Sequence, residues 1–240
     1  YGVVALLCGV LFLLAEISSA FEAVVNYAMM SHYVPPEMPD IPEDMYPEVD
    51  VFIATHTEPA ELLYSTINGC VFLDYPDKSK VHIHLCDDNA RPEMEALARS
   101  FGINYWGLSN NKDAKGGNLN NAMRQTGAPI CVTLDADMIP RHEFLMKTVP
   151  YFLLPRMKKD ENGVWTPKRP EEIDPEEKIG LLQTPQGFYN PDLFQYNLYY
   201  AGRYPGEQDM FFREINVARS AYNASIYAGS NTLISREALE

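Results

Sequence analysis

Apolar and polar positions along most of this chain form blocks that predict strands and helices in turn. Short apolar or alternating runs predict strands, and longer runs with helical spacing between them predict helices. The predicted strands are residues 49–55, 80–86, 103–108, 129–135 and 179–185. The predicted helices are residues 59–73, 91–101, 117–126 and 141–154, the last interrupted by Pro150. Such alternation is typical of an α/β fold with a mainly parallel central sheet.

The N-terminal part of the chain differs from the rest because it is almost entirely apolar. Residues 3–15 carry no charge, and as far as Met30 only Glu16 and Glu22 are ionisable. A membrane span needs about 20 apolar residues, so residues 1–33 are predicted to form a transmembrane helix. Both glutamates would then face other helices or the interface, which implies further spans. The alternative is a buried hairpin helix of a soluble protein.

Two stretches are predicted to lie outside the packed core. Residues 34–48 are rich in proline and acidic side chains, which predicts an extended linker from the membrane helix to a soluble domain. Residues 157–178 are charged and contain proline and glycine, and we interpret them as a surface insertion or a solvated loop. The expected domains are therefore a transmembrane helix at 1–33, a linker at 34–48 and an α/β domain at 49–240.

Composition and charge narrow the classes of partner. Hydrophobic residues make up 46% of the chain, so a sizeable core can form. The chain contains 19 Lys and Arg and 33 Asp and Glu, which gives a net charge of −14. This balance argues against a nucleic-acid partner, which requires a basic face. A small anionic ligand remains compatible, because a metal or a helix N-terminus can bind phosphate locally.

The cysteines and histidines do not predict a metal site. No C-x-x-C spacing occurs, and all the cysteines lie in apolar surroundings, so reduced, buried thiols of a cytosolic domain are expected. His82 and His84 alternate with apolar residues in a predicted strand. They are expected to face solvent or an interface, because no third zinc ligand is evident. The cysteines are Cys8, Cys70, Cys86 and Cys131.

Polar clusters follow three of the predicted strands. They are "THTEP" at 55–59, "CDDN" at 86–89 and "LDADM" at 134–138. In a parallel sheet the carboxyl ends of the strands meet at one edge, where α/β folds bind their ligands. The sequence therefore predicts that the three clusters form one site.

The residue types in this predicted site suit a nucleotide diphosphate sugar. Asp135 and Asp137 would point the same way in an extended chain and could hold Mg²⁺ or Mn²⁺; the alternative is a polar turn. Asp87 and Asp88 could accept hydrogen bonds from a base or ribose, or could cap the next helix. Lys115 lies beside two glycines before a predicted helix N-terminus, which permits close approach to a phosphate. Alternatively, Lys115 is a surface lysine.

Six motifs taken in order resemble the family-2 glycosyltransferases, and in particular their cellulose synthase-like branch. They are "THTEP", "CDDN", "AKGGNLNNA", "TLDADMIP", "LLQTPQGFYNPD" and "YAGSNTLISREALE". The resemblance covers nearly the whole chain, including the predicted membrane helix and the proline-rich linker. The resemblance implies a GT-A-like nucleotide-sugar-binding fold between membrane helices of a multi-pass protein. The catalytic domain would lie on the cytosolic side of the inner (plasma) membrane. The donor would be a UDP-sugar, with glucose expected, and the cofactor Mg²⁺ or Mn²⁺.

The resemblance also implies roles for individual residues. Asp87 would be a catalytic aspartate that also contacts the nucleotide, and Asp135 and Asp137 would bind the metal and UDP. The other implied contacts are those of uridine with Thr55 and Glu58, of the nucleotide with Asp88, of the donor with Lys115 and Asn118, of the acceptor channel with Gln183, Thr184 and Pro185, and of the acceptor sugar with Gly229 and Ser230.

The sequence departs from the family pattern at three points. Ala228 stands where the family usually has cysteine, and two motifs have no match. These are the Thr-Glu-Asp motif with the general base and the Gln-x-x-Arg-Trp motif, both expected beyond Glu240. The chain is therefore expected to be a piece of a longer enzyme, truncated at both ends.

The expected enzyme is a membrane-bound inverting glycosyltransferase that adds sugars to a β-linked polysaccharide. Its expected partners are the UDP-sugar donor, the polysaccharide acceptor, membrane lipid and other synthase subunits. The alternatives are another β-glycan synthase, chitin- or hyaluronan-like, or a catalytically inactive nucleotide-sugar-binding membrane protein.

Overall fold

Helices and strands alternate through most of the chain in a computed structural model that describes residues 2–109, 113–200, 203 and 206–239. The expected domain ends at Tyr1 and Glu240 lie outside the described residues. The helices are α1 (Val3–His32), α2 (Ala60–Val71), α3 (Pro92–Phe101), α4 (Ala114–Met123), α5 (Phe144–Leu153), α6 (Leu193–Asn197), α7 (Glu207–Met210), α8 (Asn216–Ser220) and α9 (Arg236–Leu239). The strands are β1 (Val49–Thr55), β2 (Val81–Asp87), β3 (Asn104–Gly107), β4 (Ile130–Asp135), β5 (Met157–Lys159), β6 (Trp165–Pro167), β7 (Leu181–Gln183) and β8 (Thr232–Ser235).

Six of the strands form one sheet, in the order β3–β2–β1–β4–β8–β7. The first four of that order run parallel to one another, whereas β8 runs antiparallel to both β4 and β7. Parallel neighbours need crossover connections, and α2, α3 and α4 supply them. The predicted α/β fold with a mainly parallel central sheet is confirmed.

Apolar side chains cover both faces of this sheet. On one face, α2, α3 and α5 pack over the larger core cluster, which includes Val51, Leu85 and Leu134. On the other face, α4 packs over a smaller cluster made of Phe52, Cys86, Leu119, Ala122 and Cys131. A strand that is buried on both faces has a nearly continuous apolar sequence, which is why β1 and β4 are recognisable from the sequence.

The chain divides into two compact units. One combines Tyr1–Pro36 with Thr184–Ile226, and the other combines Glu37–Gln183 with Tyr227–Glu240. The second unit contains the six-stranded sheet. The predicted limits of the transmembrane, linker and α/β segments stay predictions.

Helix α1 is long and apolar enough to cross a membrane, as the sequence pattern predicts. None of its described residues is buried, although α8 and the π-helical turn at Phe211–Ile215 pack against it. The expectation that every cysteine is buried is therefore wrong for Cys8, which is exposed on this helix. The other three cysteines are buried free thiols.

The two stretches predicted to lie outside the core have anchored ends. In residues 34–48, Ile41 and Tyr46 are buried, and Tyr75 donates a hydrogen bond of 2.6 Å to the Pro47 carbonyl. Residues 37–48 therefore form part of the second unit rather than a free linker. Residues 157–178 begin with the hairpin of β5 and β6, in which Met157 is buried.

Helix α4 begins earlier than predicted, at Ala114 instead of residue 117. Lys115 and two glycines therefore lie inside its first turns and not before its N-terminus. The Gly117 amide donates to the Asp113 carbonyl at 3.1 Å, which closes the first turn. Two glycines cost a helix only about 1 kcal/mol each, so the packing of α4 on the sheet outweighs that penalty.

The expectation that His84 faces solvent or an interface is wrong, because its ring is buried between β1 and β3. Trp106 Nε1 donates to His84 Nδ1 at 3.1 Å, and His84 Nε2 lies 2.9 Å from Asp50 Oδ1. Since Nδ1 accepts, the ring proton lies on Nε2 and is donated to Asp50. His84 shares its face of the sheet with Phe52, and the two rings stack. His82, in contrast, is partly exposed.

Candidate functional site

The three predicted polar clusters meet at one edge of the sheet. Thr55, the last residue of β1, lies opposite Asp87, the last residue of β2. On the other side of β1, Ala54 lies opposite Asp135, the last residue of β4. The carboxyl ends of three adjacent parallel strands therefore carry the predicted polar residues, at the position where α/β folds bind ligands.

The first part of this edge is organised by Arg91, which immediately precedes α3. Its Nε donates to Asp87 Oδ1 at 3.0 Å, and its Nη2 donates to Thr55 Oγ1 at 2.8 Å. Its Nη1 donates to the Glu58 carbonyl at 2.8 Å. One guanidinium therefore joins the ends of β1 and β2 to the turn that leads into α2.

The carboxylate of Asp87 is completely buried and faces protein donors. Besides Arg91 Nε, it accepts hydrogen bonds from the Arg91 amide at 2.6 Å and the Tyr105 hydroxyl at 3.0 Å. Burial, together with the charge of Asp87, raises the pKa of Tyr105, so this hydroxyl remains a donor. Asp87 thus holds Arg91, which is itself the N-cap residue of α3, so the alternative that Asp87 caps this helix is wrong. The catalytic role of Asp87 stays a prediction.

The turn after β1 is built around the carboxylate of Glu58. Its Oε2 accepts from Thr55 Oγ1 at 2.8 Å, from the His56 amide at 2.7 Å and from the Thr57 amide at 3.1 Å. Burial raises the pKa of Glu58, but these hydrogen bonds outweigh it and hold the pKa below its usual range. Next to the turn, Asp88 Oδ2 lies 4.0 Å from His56 Nδ1.

The second part of the edge joins three motifs that are far apart in the sequence. Lys115 Nζ forms an ion pair with Asp135 and donates to the Gly229 carbonyl at 2.7 Å. The Asp135 amide donates to Ser230 Oγ at 2.8 Å. Gly229 has a φ of +85°, a left-handed conformation that glycine adopts without strain. Four predicted site residues are therefore in direct contact.

Gln183 holds the loop that carries Gly229 and Ser230. Its Oε1 accepts from the Ala228 amide and from Thr232 Oγ1, both at 2.8 Å. Its Nε2 donates to the Ser230 carbonyl at 2.9 Å. Gln183 therefore acts on the site through this loop. The two residues predicted beside it, Thr184 and Pro185, belong to the other compact unit.

Asp135 and Asp137 do not lie in one extended strand, so that expectation is wrong. Strand β4 ends at Asp135, and the Met138 amide donates to the Asp135 carbonyl at 3.1 Å, which closes a turn. Buried Ala136 anchors the turn, because its carbonyl accepts from Thr66 Oγ1 at 2.7 Å. The turn leaves the Asp137 side chain exposed and the Asp135 side chain 41% exposed.

The donor set at this turn is compatible with a hard divalent cation. Among the described residues there is no group of three or more His, Cys, Asp or Glu placed to hold a metal. Asp135 and Asp137 nevertheless offer accessible carboxylate oxygens, the ligand type that Mg²⁺ and Mn²⁺ prefer. Phosphate oxygens and water can complete such a coordination shell.

Asn118 of α4 lies behind this edge and is buried. Its Nδ2 donates to the Trp106 carbonyl at 3.3 Å, whereas its Oδ1 has no partner in the part of the chain that the structure describes. A buried acceptor without a donor is uncommon in folded proteins. Asn118 therefore joins α4 to the end of β3, and its predicted contact with the donor stays a prediction.

Three residues that organise the site were not singled out in the sequence. Arg91 stands four residues after Asp87. Tyr105 lies two residues after Ile103, and both pack against the larger core cluster. Thr66 could have been recognised most easily from the sequence, because it is a polar residue among apolar ones on the buried face of α2. A buried hydroxyl at such a position requires a partner.

We expect Thr66→Val to lower the free energy of unfolding by about 1–3 kcal/mol, because the buried Ala136 carbonyl loses its donor. Urea denaturation measures this loss. The matched control is Ser65→Ala, an exposed neighbour on the same helix, which should change stability by about 0.5 kcal/mol or less. Equal effects of the two substitutions would show that the hydrogen bond does not stabilise the turn.

Comparison with known families and proteins gives a consistent result. Residues 50–240 match the family described as glycosyl transferase family 2. Over 237 residues the chain is 32% identical to the cellulose synthase catalytic subunit (UDP-forming) of Komagataeibacter sucrofermentans. Over 196 residues it is 33% identical to the protein of the same name in Xanthomonas axonopodis pv. citri.

These alignments cover 97% and 82% of this chain. The chain spans only 28% and 24% of the length of the two relatives. Among solved structures, a mannosyltransferase from Pyrobaculum calidifontis in complex with GDP-Man and Mn²⁺ matches with a TM-score of 0.58 and 18% identity. That match covers 93% of this chain and 55% of the other. At this identity the likeness shows the fold alone, and it agrees with the predicted GT-A-like fold.

Proposed function

The chain belongs to glycosyl transferase family 2, and from this premise we propose that it forms the UDP-sugar-binding part of a membrane-bound inverting glycosyltransferase. The enzyme would elongate a β-linked polysaccharide, with glucose as the transferred sugar. One observation carries the proposal. Lys115, Asp135 and the loop of Gly229 and Ser230 meet at the carboxyl end of β4. The two relatives named cellulose synthase support the substrate class.

In the proposed complex the two parts of the strand edge bind different parts of the donor. The turn at Thr55 and Glu58, with Asp88 beside it, would contact the uridine. Lys115 would contact the diphosphate, because its ammonium group already lies beside Asp135 at the accessible edge. An ammonium group that bonds phosphate oxygens stabilises the negative charge of a leaving nucleotide.

Asp135 and Asp137 would hold a bound Mg²⁺ or Mn²⁺. Such a cation would neutralise the diphosphate charge that grows as UDP leaves. The closed turn at residues 135–138 leaves the Asp135 side chain partly exposed and the Asp137 side chain exposed, so that both carboxylates are accessible to a cation. The ion pair with Lys115 would hold the Asp135 carboxylate in place before the donor binds.

The proposed reaction is a single displacement at the anomeric carbon. An acceptor hydroxyl attacks while the bond to UDP breaks, and a general base takes the hydroxyl proton. Asp87 would serve by fixing the shape of the donor pocket, because its oxygens already accept from Arg91 and Tyr105. Gln183, Thr184 and Pro185 are proposed to lie near the acceptor.

Membrane attachment is also part of the proposal. The apolar surface of α1, which has no buried residue among those described, suits a lipid environment. The protein would be a multi-pass protein of the inner (plasma) membrane, with the catalytic domain on the cytosolic side. Its partners would be membrane lipid, the polysaccharide acceptor and other synthase subunits.

Nucleotide binding tests the proposal directly. Isothermal titration of the full-length protein in detergent with UDP and Mn²⁺ should show binding, and GDP should bind more weakly. Lys115→Met should weaken UDP binding by about tenfold or more, since a hydrogen bond to a charged group contributes about 1.5–3 kcal/mol. The matched control is Lys147→Met, because Lys147 is 72% exposed and forms its ion pair with Glu143, the N-cap residue of α5.

The outcomes separate the competing functions. Equal affinity for UDP and GDP, or no effect of Lys115→Met, would contradict the assignment of the site. UDP binding without sugar transfer from any UDP-sugar would favour the inactive binding protein. Transfer from UDP-N-acetylglucosamine but not from UDP-glucose would favour a chitin- or hyaluronan-like synthase.

A further inference from the structure

Arg236 lies at the opposite end of β4 from the candidate site, where its guanidinium donates hydrogen bonds to four acceptors. Its Nε donates to the Ala128 carbonyl at 2.7 Å, and its Nη1 donates to the Met123 carbonyl at 2.8 Å. Its Nη2 donates to Asp50 Oδ2 at 2.8 Å and to Thr126 Oγ1 at 3.0 Å. Arg236 therefore fixes the last residue of α4, the connection into β4 and the start of β1.

The same residue also fixes the end of β8. Ser235, the last residue of β8, pairs with Ile130 at the start of β4, and the Arg236 amide donates to the Pro129 carbonyl at 2.9 Å. Along β8 in the other direction, Thr232 pairs with Thr133 and follows the loop that carries Gly229 and Ser230. Arg236 therefore sits where the far ends of α4 and β8 come together.

Helix α4 is thus joined at two places to the segment 229–236, which contains β8. At the site, Lys115 of α4 pairs with Asp135 and donates to the carbonyl of Gly229, in the loop before β8. At the other end the helix and this segment meet through Arg236, which binds the Met123 carbonyl and continues β8. Because both segments are short and bonded at both ends, a shift at the Arg236 end would be expected to move the Lys115 end.

We propose that Arg236 is a positioning residue for the nucleotide site. It fixes the position of α4 relative to β8. The Lys115 ammonium group then contacts Asp135 and the Gly229 carbonyl in the arrangement that would bind the diphosphate. This role in nucleotide binding rests on the proposed function. The mechanical link between Arg236 and the loop of Gly229 and Ser230 does not.

The chemistry of the Arg236 network suits a positioning role. The Asp50 side chain is 3% exposed and the Arg236 side chain 15% exposed, and Asp50 also accepts from His84 Nε2 and from the Ala128 amide. A buried polar network with all its members paired is rigid and specifies one arrangement. Lysine would keep the charge but not all four hydrogen bonds, because an ammonium group lacks the planar fork of a guanidinium.

Two readouts test the link in the full-length protein purified in detergent. Hydrogen–deuterium exchange reports on the backbone of residues 228–232, and titration with UDP and Mn²⁺ reports on the site. We expect Arg236→Met to speed exchange at residues 228–232 and to weaken UDP binding about tenfold or more. Arg236→Lys, which retains the charge, should give smaller changes of the same kind.

The control is Tyr75→Phe, which removes a hydrogen bond to the Pro47 carbonyl, a bond that involves neither α4 nor β8. It should leave exchange at residues 228–232 and UDP affinity unchanged. If the Arg236→Met variant does not fold, the Arg236→Lys variant is sufficient for the test. Unchanged exchange at residues 228–232 in Arg236→Lys, or equal acceleration in Tyr75→Phe, would overturn the proposal.

Failure of the proposed function gives a different pattern. A wild-type protein that does not bind UDP would remove the nucleotide from the proposal. Faster exchange at residues 228–232 in the Arg236 variants would still establish the link between Arg236 and the loop.

Discussion

Replacing Asp137 by alanine is expected to lower the rate of sugar transfer by at least about a hundredfold. Loss of a ligand to a cation that stabilises a leaving diphosphate removes several kcal/mol of transition-state stabilisation. The folded structure should survive the change, because Asp137 is exposed and the turn is closed by backbone contacts of Asp135, Ala136 and Met138. The measurement is UDP release from UDP-glucose in the presence of Mn²⁺.

The control for Asp137→Ala is Asp40→Ala, which removes another exposed carboxylate from the same compact unit. It should leave the transfer rate unchanged. Chelation by EDTA should reproduce the loss in the wild-type protein, and added Mn²⁺ or Mg²⁺ should restore the rate. Transfer that survives both Asp137→Ala and EDTA would contradict the assignment of these aspartates as metal ligands.

The parts of the fold that depend on local pattern could be predicted from the sequence. The limits predicted for β1, residues 49–55, are those of the structure, because an apolar run bounded by polar residues defines a buried strand. The convergence of Thr55, Asp87 and Asp135 also followed, since parallel strands place their carboxyl ends at one edge. Neither inference requires knowledge of which side chains pack against each other.

The contacts that depend on three-dimensional packing could not be predicted. His84 alternates with apolar residues, a pattern that leaves open whether its face of the sheet is covered; α4 covers it. The turn at Asp135 arises because Ala136 is buried and bonded to Thr66, which comes from another element. In both cases a tertiary contact outweighs the local preference of the chain.

Arg91→Met is expected to lower the free energy of unfolding by about 3–5 kcal/mol, the largest stability effect we anticipate. Asp87 is completely buried, and Arg91 is the cation that pairs with it. Removing the guanidinium leaves the carboxylate uncompensated and frees Thr55 and the Glu58 carbonyl from their shared donor. Urea denaturation of the purified protein measures the change, and UDP affinity should fall with it.

Arg99→Met is the matched control, because Arg99 forms an ion pair of the same i,i+4 spacing with Glu95 but is 78% exposed. Exposed helix pairs of this kind contribute about 0.3–0.5 kcal/mol. A further substitution, Asp87→Asn in the Arg91→Met background, removes the buried charge and should recover part of the lost stability. Equal losses in Arg91→Met and Arg99→Met would contradict a stabilising role for the buried pair. Failure of Asp87→Asn to recover stability would instead assign the loss to packing and to the freed partners of Arg91.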